Sequence, residues 1–282
     1  MTQTETHYYV PSSSRYSLFA SVGVFVLALG FVLKLNNIPL GGWVMLAGFA
    51  TLLYVVFGWF GAVVHENVAG MYHKWEDRSF RWGMVTFIAS EVFFFGAFFG
   101  TLFYLRAIAV PELAGYEPQF TPYPGYEGTW PTSGPKGPRF TPMGAWGVPA
   151  VNTLLLLSSG ATVTWAHWGL INGNRNQLKL GLLATILLGS IFLGLQAYEY
   201  YHAYQELGLT LKAGVYGATF FILTGFHGFH VTLGAIMLIA ILGRVMKGHF
   251  DPKNHFGFEA VAWYWHFVDV VWLFLFVFVY WL

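Results

Sequence analysis

Long apolar stretches alternate with short polar connectors along the chain. Seven of the stretches are long enough to cross a bilayer as a helix, which takes about 20 residues. They cover about residues 16–35, 41–64, 81–105, 146–170, 178–204, 214–243 and 257–282. The pattern therefore predicts an all-α polytopic membrane protein with seven transmembrane helices in a single domain spanning residues 1–282.

One segment breaks the alternation. Residues 109–145 hold eight of the 12 prolines of the chain, together with glycines and aromatic residues. A membrane-spanning helix does not tolerate that proline density. We therefore expect a long extramembrane loop between the third and fourth helices, ordered against the helices by its tyrosine and tryptophan side chains.

Composition agrees with a membrane protein. The 282 residues are 56% hydrophobic and only 10% charged, whereas soluble domains carry about 25% charged residues. The net charge of +1 gives no argument for a nucleic-acid partner, and the absence of cysteine excludes disulfides, thiolate metal sites and cysteine nucleophiles. The polar N-terminus does not resemble a cleaved signal peptide, so we expect the first segment to remain as a membrane anchor.

Basic residues predict the orientation, because they accumulate in cytoplasmic connectors. With seven spans the two termini lie on opposite sides, and the N-terminal side carries more lysine and arginine. That side has Arg15, Lys74, Arg78, Arg81, Arg175, Lys179, Arg244, Lys247 and Lys253, and the other has Lys34, Arg106, Lys136, Arg139 and Lys212. We expect a cytoplasmic N-terminus and a periplasmic C-terminus.

Glu91 is the most unusual residue of the third segment. It lies about 15 Å along the helix from Arg81, which is near the middle of a hydrocarbon core about 30 Å thick. An ionised side chain at that depth is unfavourable by about 3 kcal/mol, and its own helix offers only apolar neighbours one turn away. We expect Glu91 to be largely protonated, or hydrogen-bonded to a histidine of the sixth or seventh helix.

Among the other ionisable residues of the predicted spans, we single out six, which form three pairs one turn apart along a helix. We expect the first pair to lie near the outer interface, where water can reach both groups, and to have a structural role. The second could supply metal or haem ligands, but hydrogen bonding between helices is the more ordinary role. The third could orient an imidazole or relay a proton, or simply satisfy both groups. In that order the pairs are Glu199 and His202, His227 and His230, and His266 and Asp269.

Charged residues also gather at the predicted inner ends of the second and sixth helices. Glu66, His73, Arg244 and Lys247 lie there, and such groups at headgroup depth can bind phospholipid phosphate. The alternative is the ordinary excess of basic residues on the cytoplasmic side.

Five stretches of the sequence resemble subunit III of the haem–copper cytochrome c oxidases. Together they lie within roughly residues 60–282. They are RWGMVTFIASEVFFF (81–95), TWAHWGL (164–170), QAYEYYHA (196–203), TGFHGFHVTLGA (224–235) and HFGFEAVAWYWHFVDVVWLF (255–274).

The resemblance implies an accessory subunit with no catalytic residue and no metal ligand of its own, in a complex that reduces oxygen with electrons from cytochrome c and pumps protons during aerobic respiration. Haems and copper would reside in partner subunits I and II, and this chain would pack directly on subunit I. Helices 1 and 2 (residues 1–65) would be separated from helices 3–7 (residues 81–282) by a lipid-filled cleft. We expect a bacterial plasma membrane as the location.

The resemblance also assigns residues. The family's membrane-buried glutamate falls on Glu91. The resemblance implies that the subunit as a whole keeps proton uptake into subunit I efficient and protects the complex against inactivation during turnover. The phospholipid-binding candidates are Trp59, Glu66, His73 and Arg244.

Two readings from other classes remain open at this point. One is a haem- or metal-binding membrane redox protein that uses His227, His230 and His266. The other is an independent proton channel or transporter built on Glu91 and Asp269.

Overall fold

A computed structural model of the chain describes residues 13–115 and 122–282. Within these ranges seven helices are long and apolar enough to cross a membrane, and no strand is present. They are α1 (Tyr16–Leu35), α2 (Gly41–Val68), α3 (Lys74–Ala114), α4 (Val148–Ile171), α5 (Arg175–Gln205), α6 (Gly214–Met246) and α7 (Phe256–Trp281). The predicted all-α fold with seven spanning helices is confirmed.

The third helix is longer at both ends than the sequence predicted. At its start, the Glu76 carboxylate accepts a hydrogen bond of 2.8 Å from the His73 backbone N–H, which is half of a capping box and extends the helix through the charged connector. At its end, a π-helical turn is followed by the helical turn Val110–Ala114. Pro111 is tolerated because it lies in the first turn of this short helix, where a backbone N–H has no helical partner to lose. The predicted loop start at residue 109 is therefore wrong.

Contacts divide the chain into two compact units, one up to Phe80 and the other Arg81–Leu282. In the first unit, α1 and α2 touch through glycines. A Cβ atom on Gly30 would lie 2.3 Å from a backbone nitrogen of α2, and one on Gly48 would lie 2.4 Å from a backbone nitrogen of α1. Small residues bring helix backbones together in this way where dispersion forces and not hydrophobic exclusion drive packing.

The second unit is centred on Trp265 of α7, which is completely buried. Its indole Nε1 donates a 2.8 Å hydrogen bond to Ser159 Oγ on α4. Its ring lies against Gly189 of α5 and Gly234 of α6, where an added Cβ would come within 2.7 Å and 2.8 Å of the ring. One large side chain thus fixes the positions of four helices.

The segment before α4 packs onto the helices through aromatic rings, as its composition led us to expect. Phe140 stacks on Tyr216 of α6 with ring centroids 5.1 Å apart, and Trp130 meets the same tyrosine edge-on at 5.5 Å. Residues 116–121 of the predicted loop lie outside the described residues.

Candidate functional site

Glu91 on α3 faces His230 on α6. The distance between Glu91 Oε2 and His230 Nε2 is 3.0 Å, and both side chains are largely buried. Of the two states expected for Glu91, a proton or a histidine partner on the sixth or seventh helix, the structure contains the hydrogen bond to a histidine of the sixth.

The other ring nitrogen of His230 bonds within its own helix. His230 Nδ1 is 2.7 Å from the Phe226 carbonyl oxygen, which can only accept, so Nδ1 carries a hydrogen. The link to Glu91 then needs one further proton, either on the carboxyl group or on the imidazole. Both states are neutral as a pair, which is what an apolar surrounding requires.

Aromatic rings enclose this pair. Phe95 meets the His230 ring edge-on with centroids 5.1 Å apart, and Phe94 lies 6.0 Å away. The Tyr264 hydroxyl of α7 donates to the His230 backbone carbonyl at 3.3 Å. The pair is held rigidly between α3, α6 and α7, so its geometry suits a fixed structural link.

His227 lies one turn earlier on α6 but in a different setting. It is 1% exposed, and its ring packs 5.2 Å from Trp272 and 5.9 Å from Phe192. Neither ring nitrogen has a hydrogen-bond partner among the described residues. His227 therefore faces an aromatic core while His230 faces a carboxyl group, and the two are not presented as a pair of ligands.

His266 and Asp269 are neighbours on α7, with His266 Nδ1 3.7 Å from Asp269 Oδ2. Thr164 Oγ1 of α4 lies 3.2 Å from the other ring nitrogen of His266. Asp269 is buried against Gly160, where an added Cβ would lie 2.3 Å from the carboxylate oxygen. In the described parts of the chain, His227, His230 and His266 do not converge as a set of three within metal-ligand distance.

Glu199 is buried, and the expectation that it is wet at the outer interface is wrong. Its side chain is enclosed between α5 and α7 at 1% exposure. The Tyr280 hydroxyl donates to Glu199 Oε1 at 2.5 Å, and Gln196 Nε2 approaches the same oxygen at 3.4 Å. His202 does reach the surface, where its Nδ1 lies 3.1 Å from Glu206. Glu199 therefore lies in the interior between two helices, whereas His202 lies at the surface, and the two do not act as a pair.

Three of the lipid-binding candidates lie in the first unit. Trp59 stacks on Tyr16 with ring centroids 6.3 Å apart. Glu66 accepts a 2.5 Å hydrogen bond from the Tyr72 hydroxyl, and His73 precedes the first residue of α3. These residues place a carboxylate and an imidazole close to the facing ends of α2 and α3.

The fourth candidate, Arg244, lies in the last turn of α6. Its guanidinium carbon is 4.3 Å from the centroid of the Phe250 ring, a cation–π contact. The group also lies beside Gly257 at the start of α7. A cation at the C-terminal end of a helix is stabilised by the helix dipole, and this position is compatible with binding an anionic headgroup.

One cluster was not identified as a site from the sequence. His167 of α4, His255 before α7 and Glu259 in the first turn of α7 bring their ligand atoms within 4.8 Å of one another, and Arg81 of α3 pairs with Glu259. The four-residue spacing of His255, which directly precedes α7, and Glu259 in its first turn is the one local signal. His167 joins them only through tertiary packing.

Comparison with known proteins covers the whole chain. The family model described as cytochrome c oxidase subunit III matches residues 6–282. Curated relatives named cytochrome c oxidase subunit 3 come from Marchantia polymorpha (40% identity, covering 100% of this chain and 98% of the relative) and Rattus norvegicus (39%, with 98% and 98%). A third, from Arabidopsis thaliana, is 39% identical and covers 100% of this chain and 98% of its own length. This integral membrane chain belongs to the cytochrome c oxidase subunit III family.

Proposed function

We propose that the chain is the accessory, non-catalytic subunit III of a proton-pumping haem–copper cytochrome c oxidase. The observation that carries the proposal is the family match, which accounts for residues 6–282 in one alignment, with relatives that cover the chain from end to end. Membership of the oxidase complex follows from the family. The chemistry of the complex is oxidation of cytochrome c coupled to reduction of oxygen.

The geometry supports a scaffold role for several buried or partly buried polar residues. Glu91 is hydrogen-bonded to His230, and Glu199 is hydrogen-bonded to Tyr280. Arg81 forms a charged hydrogen bond with Glu259. Each link joins two helices that are distant in sequence. Buried polar groups satisfied in this way fix helix positions, which is what a subunit that supports a larger partner has to provide.

Within the complex, we propose that the chain packs directly on subunit I, that subunits I and II hold the haems and copper, and that cytochrome c donates electrons to the assembly. The proposed location is a bacterial plasma membrane, with the N-terminus in the cytoplasm and the C-terminus in the periplasm. The distribution of basic residues supports that orientation.

Phospholipid binding is the second part of the proposal. In the first unit, Trp59, Glu66 and His73 are the proposed contacts, and in the second unit Arg244 is. A lipid phosphate would accept hydrogen bonds from the His73 imidazole or from the Arg244 guanidinium. Bound lipid would support the stability of the assembly and proton uptake by subunit I.

Co-purification tests the main proposal. The chain carrying an affinity tag is extracted in mild detergent and captured, and the captured material is examined by optical spectroscopy and mass spectrometry. We expect to capture a larger haem-bearing subunit, with a Soret band that corresponds to a stoichiometric amount of haem. As a control, an unrelated seven-helix membrane protein that carries the same tag should capture neither the subunit nor the haem. Capture of the chain alone at every detergent concentration would contradict the proposal.

Lipid retention tests the second part. Native mass spectrometry of the purified complex counts the phospholipids that survive detergent washing. Arg244→Gln and His73→Gln should each lose bound phospholipid relative to Lys253→Gln, a control that changes a basic residue of a connector. Equal lipid counts in all three variants would refute these contacts.

We also propose that the chain protects the complex against inactivation during turnover, and removing the chain tests this role. A complex purified without it should start turnover at a rate close to that of the intact complex, and lose activity sooner during continued turnover. Adding the purified chain back should restore the lifetime. An unchanged lifetime without the chain would refute the protective role.

A further inference from the structure

Three ligand-type side chains meet at one end of the second unit. Arg81 of α3, the end of α4 and the start of α7 come together there, because Glu259 lies close to both Arg81 and His167. His167 is near the end of α4, His255 directly precedes α7, and Glu259 lies in its first turn. We propose that His167, His255 and Glu259 form a binding site for a divalent zinc-type cation.

The two oxygens of Glu259 have different partners. Arg81 binds Oε2, which leaves Oε1 directed at both imidazoles. Oε1 lies 3.0 Å from His255 Nε2 and 3.7 Å from His167 Nε2. The arginine thus holds the carboxylate in an orientation that presents one oxygen to the cation, the role that outer partners play at metal sites.

The ring nitrogens of His255 are arranged as in a metal-ligating histidine. His255 Nδ1 lies 3.1 Å from the Asp251 backbone carbonyl oxygen, which can only accept a hydrogen bond, so Nδ1 is the donor. In the neutral imidazole the lone pair of Nε2 then faces Glu259, and two acceptors 3.0 Å apart repel each other unless a proton or a cation lies between them. Metal-bound histidines nearly always donate their second nitrogen to such a carbonyl or carboxylate.

His167 supplies the third ligand. Its Nε2 is buried and has no hydrogen-bond partner among the described residues, although it lies 3.7 Å from Glu259 Oε1. The His167 and His255 rings are 5.5 Å apart between centroids and inclined by 64°. An unsatisfied buried nitrogen directed at a carboxylate is unfavourable, and a bound cation removes that penalty.

The distances fit zinc. Zinc bonds nitrogen and oxygen at about 2.0–2.2 Å, so two ligands at the corners of a tetrahedron are about 3.3 Å apart. The observed separations of 3.0 Å and 3.7 Å fall on either side of that value. Two imidazoles and one carboxylate favour zinc over magnesium and calcium, which prefer oxygen ligands. The three side chains are between 11% and 24% exposed, which leaves water access for the fourth position.

The site is independent of the proposed function, because zinc has no redox chemistry and the site joins α4 to α7 without any haem or copper. Its physical effect is to tie the end of α4 to the start of α7. Because zinc would bind only the folded state, it raises the free energy of unfolding. At zinc concentrations above the dissociation constant, the increase grows with the logarithm of the ratio of the zinc concentration to that constant.

Zinc titration of the purified complex tests the site. The complex is stripped with a chelator and dialysed against radioactive zinc, and the wild type is compared with His167→Asn, His255→Gln and His249→Asn. His249 is a matched control, because it lies in the same connector as His255 and does not belong to the cluster. We expect the wild type and His249→Asn to bind one more equivalent than the two cluster variants, whose affinity at this site should fall at least about tenfold.

Two further measurements keep the test decisive if a variant fails to assemble. Zinc added to the wild-type complex should raise its thermal midpoint, whereas magnesium should not. Anomalous diffraction at the zinc edge should place one ion between the three side chains. Equal zinc stoichiometry in all four proteins, or anomalous density confined to other positions, would overturn the proposal.

Discussion

Buried carboxyl groups inside a membrane bundle need a proton, a cation or a hydrogen-bond donor, and three residues of this chain meet that need differently. Glu91 uses an imidazole on another helix, Glu199 a phenol on another helix, and Asp269 an imidazole one turn away on its own helix. Each solution predicts a different response to substitution.

Glu91→Gln should assemble normally and retain most of the oxidase turnover. Glutamine keeps the shape of the side chain, and its amide can still hydrogen-bond to His230, so the loss should be about 1 kcal/mol of stability. Turnover and the thermal midpoint of the complex are the measurements, with Glu112→Gln, an exposed carboxylate farther along α3, as control. Complete loss of activity in assembled Glu91→Gln would give the residue a catalytic role.

Tyr280→Phe should destabilise the chain by about 1–3 kcal/mol, because it removes the donor of a 2.5 Å hydrogen bond and leaves the buried Glu199 carboxyl group poorly satisfied. Thermal unfolding in detergent measures the effect. Tyr198→Phe is the control, because Tyr198 lies next to Glu199 on α5 and the residue is 58% exposed. It should change stability by less than about 0.5 kcal/mol.

A double-mutant cycle separates this contact from general disruption. If the Glu199–Tyr280 link carries the effect, Glu199→Leu combined with Tyr280→Phe should be less destabilising than the sum of the two single changes. Strict additivity would mean that the hydroxyl acts through other neighbours.

At the scale of the elements, glycines decide how closely helices pack. At the α4–α5 contact, a Cβ added to Gly181 would lie 2.7 Å from the Ala166 Cβ and 2.9 Å from its backbone nitrogen. A backbone atom cannot move aside as a flexible side chain can. Two helices that touch in this way have little tolerance for even one methyl group.

Gly181→Ala should therefore destabilise the chain by about 1–3 kcal/mol through overpacking. Gly194→Ala on the same helix should not, since nothing lies within 4 Å of an added Cβ there, and alanine favours the helix by about 1 kcal/mol over glycine. The difference in thermal midpoint between the two variants is the measurement. Equal midpoints would show that α4 and α5 readjust freely.

For the whole molecule, the orientation in the membrane is open to a direct test because the chain contains no cysteine. Single cysteines replace Ser14, before α1, and Lys136, in the segment between α3 and α4, and both positions are exposed. A membrane-impermeant maleimide applied to intact cells should label Lys136→Cys and spare Ser14→Cys. Both should be labelled after detergent lysis, and the opposite pattern on intact cells would reverse the proposed orientation.

Much of the architecture was predictable from the sequence. Apolar runs of about 20 residues and the proline-rich segment gave seven helices and a long connection, because the hydrophobic thickness of a bilayer and the geometry of proline act locally. The need of Glu91 for a partner followed from the same local reasoning. The errors fell at helix ends, where the Glu76 cap and the π-helical turn before Pro111 extended α3, since capping contacts depend on details that hydropathy does not contain.

What the sequence alone determined is which residues are membrane-embedded and which of them are polar, because these properties depend on chain position and side-chain chemistry. Tertiary structure decided the partners: His230 for Glu91, Tyr280 for a Glu199 that proved to be buried, and His167 for the His255 and Glu259 pair. The physical reason is that these partners come from helices distant in sequence. Whether two such side chains come into contact depends on how each helix is rotated about its axis and on the distance between the helices. Glycine contacts and the packing around Trp265 fix both of these only in the folded chain.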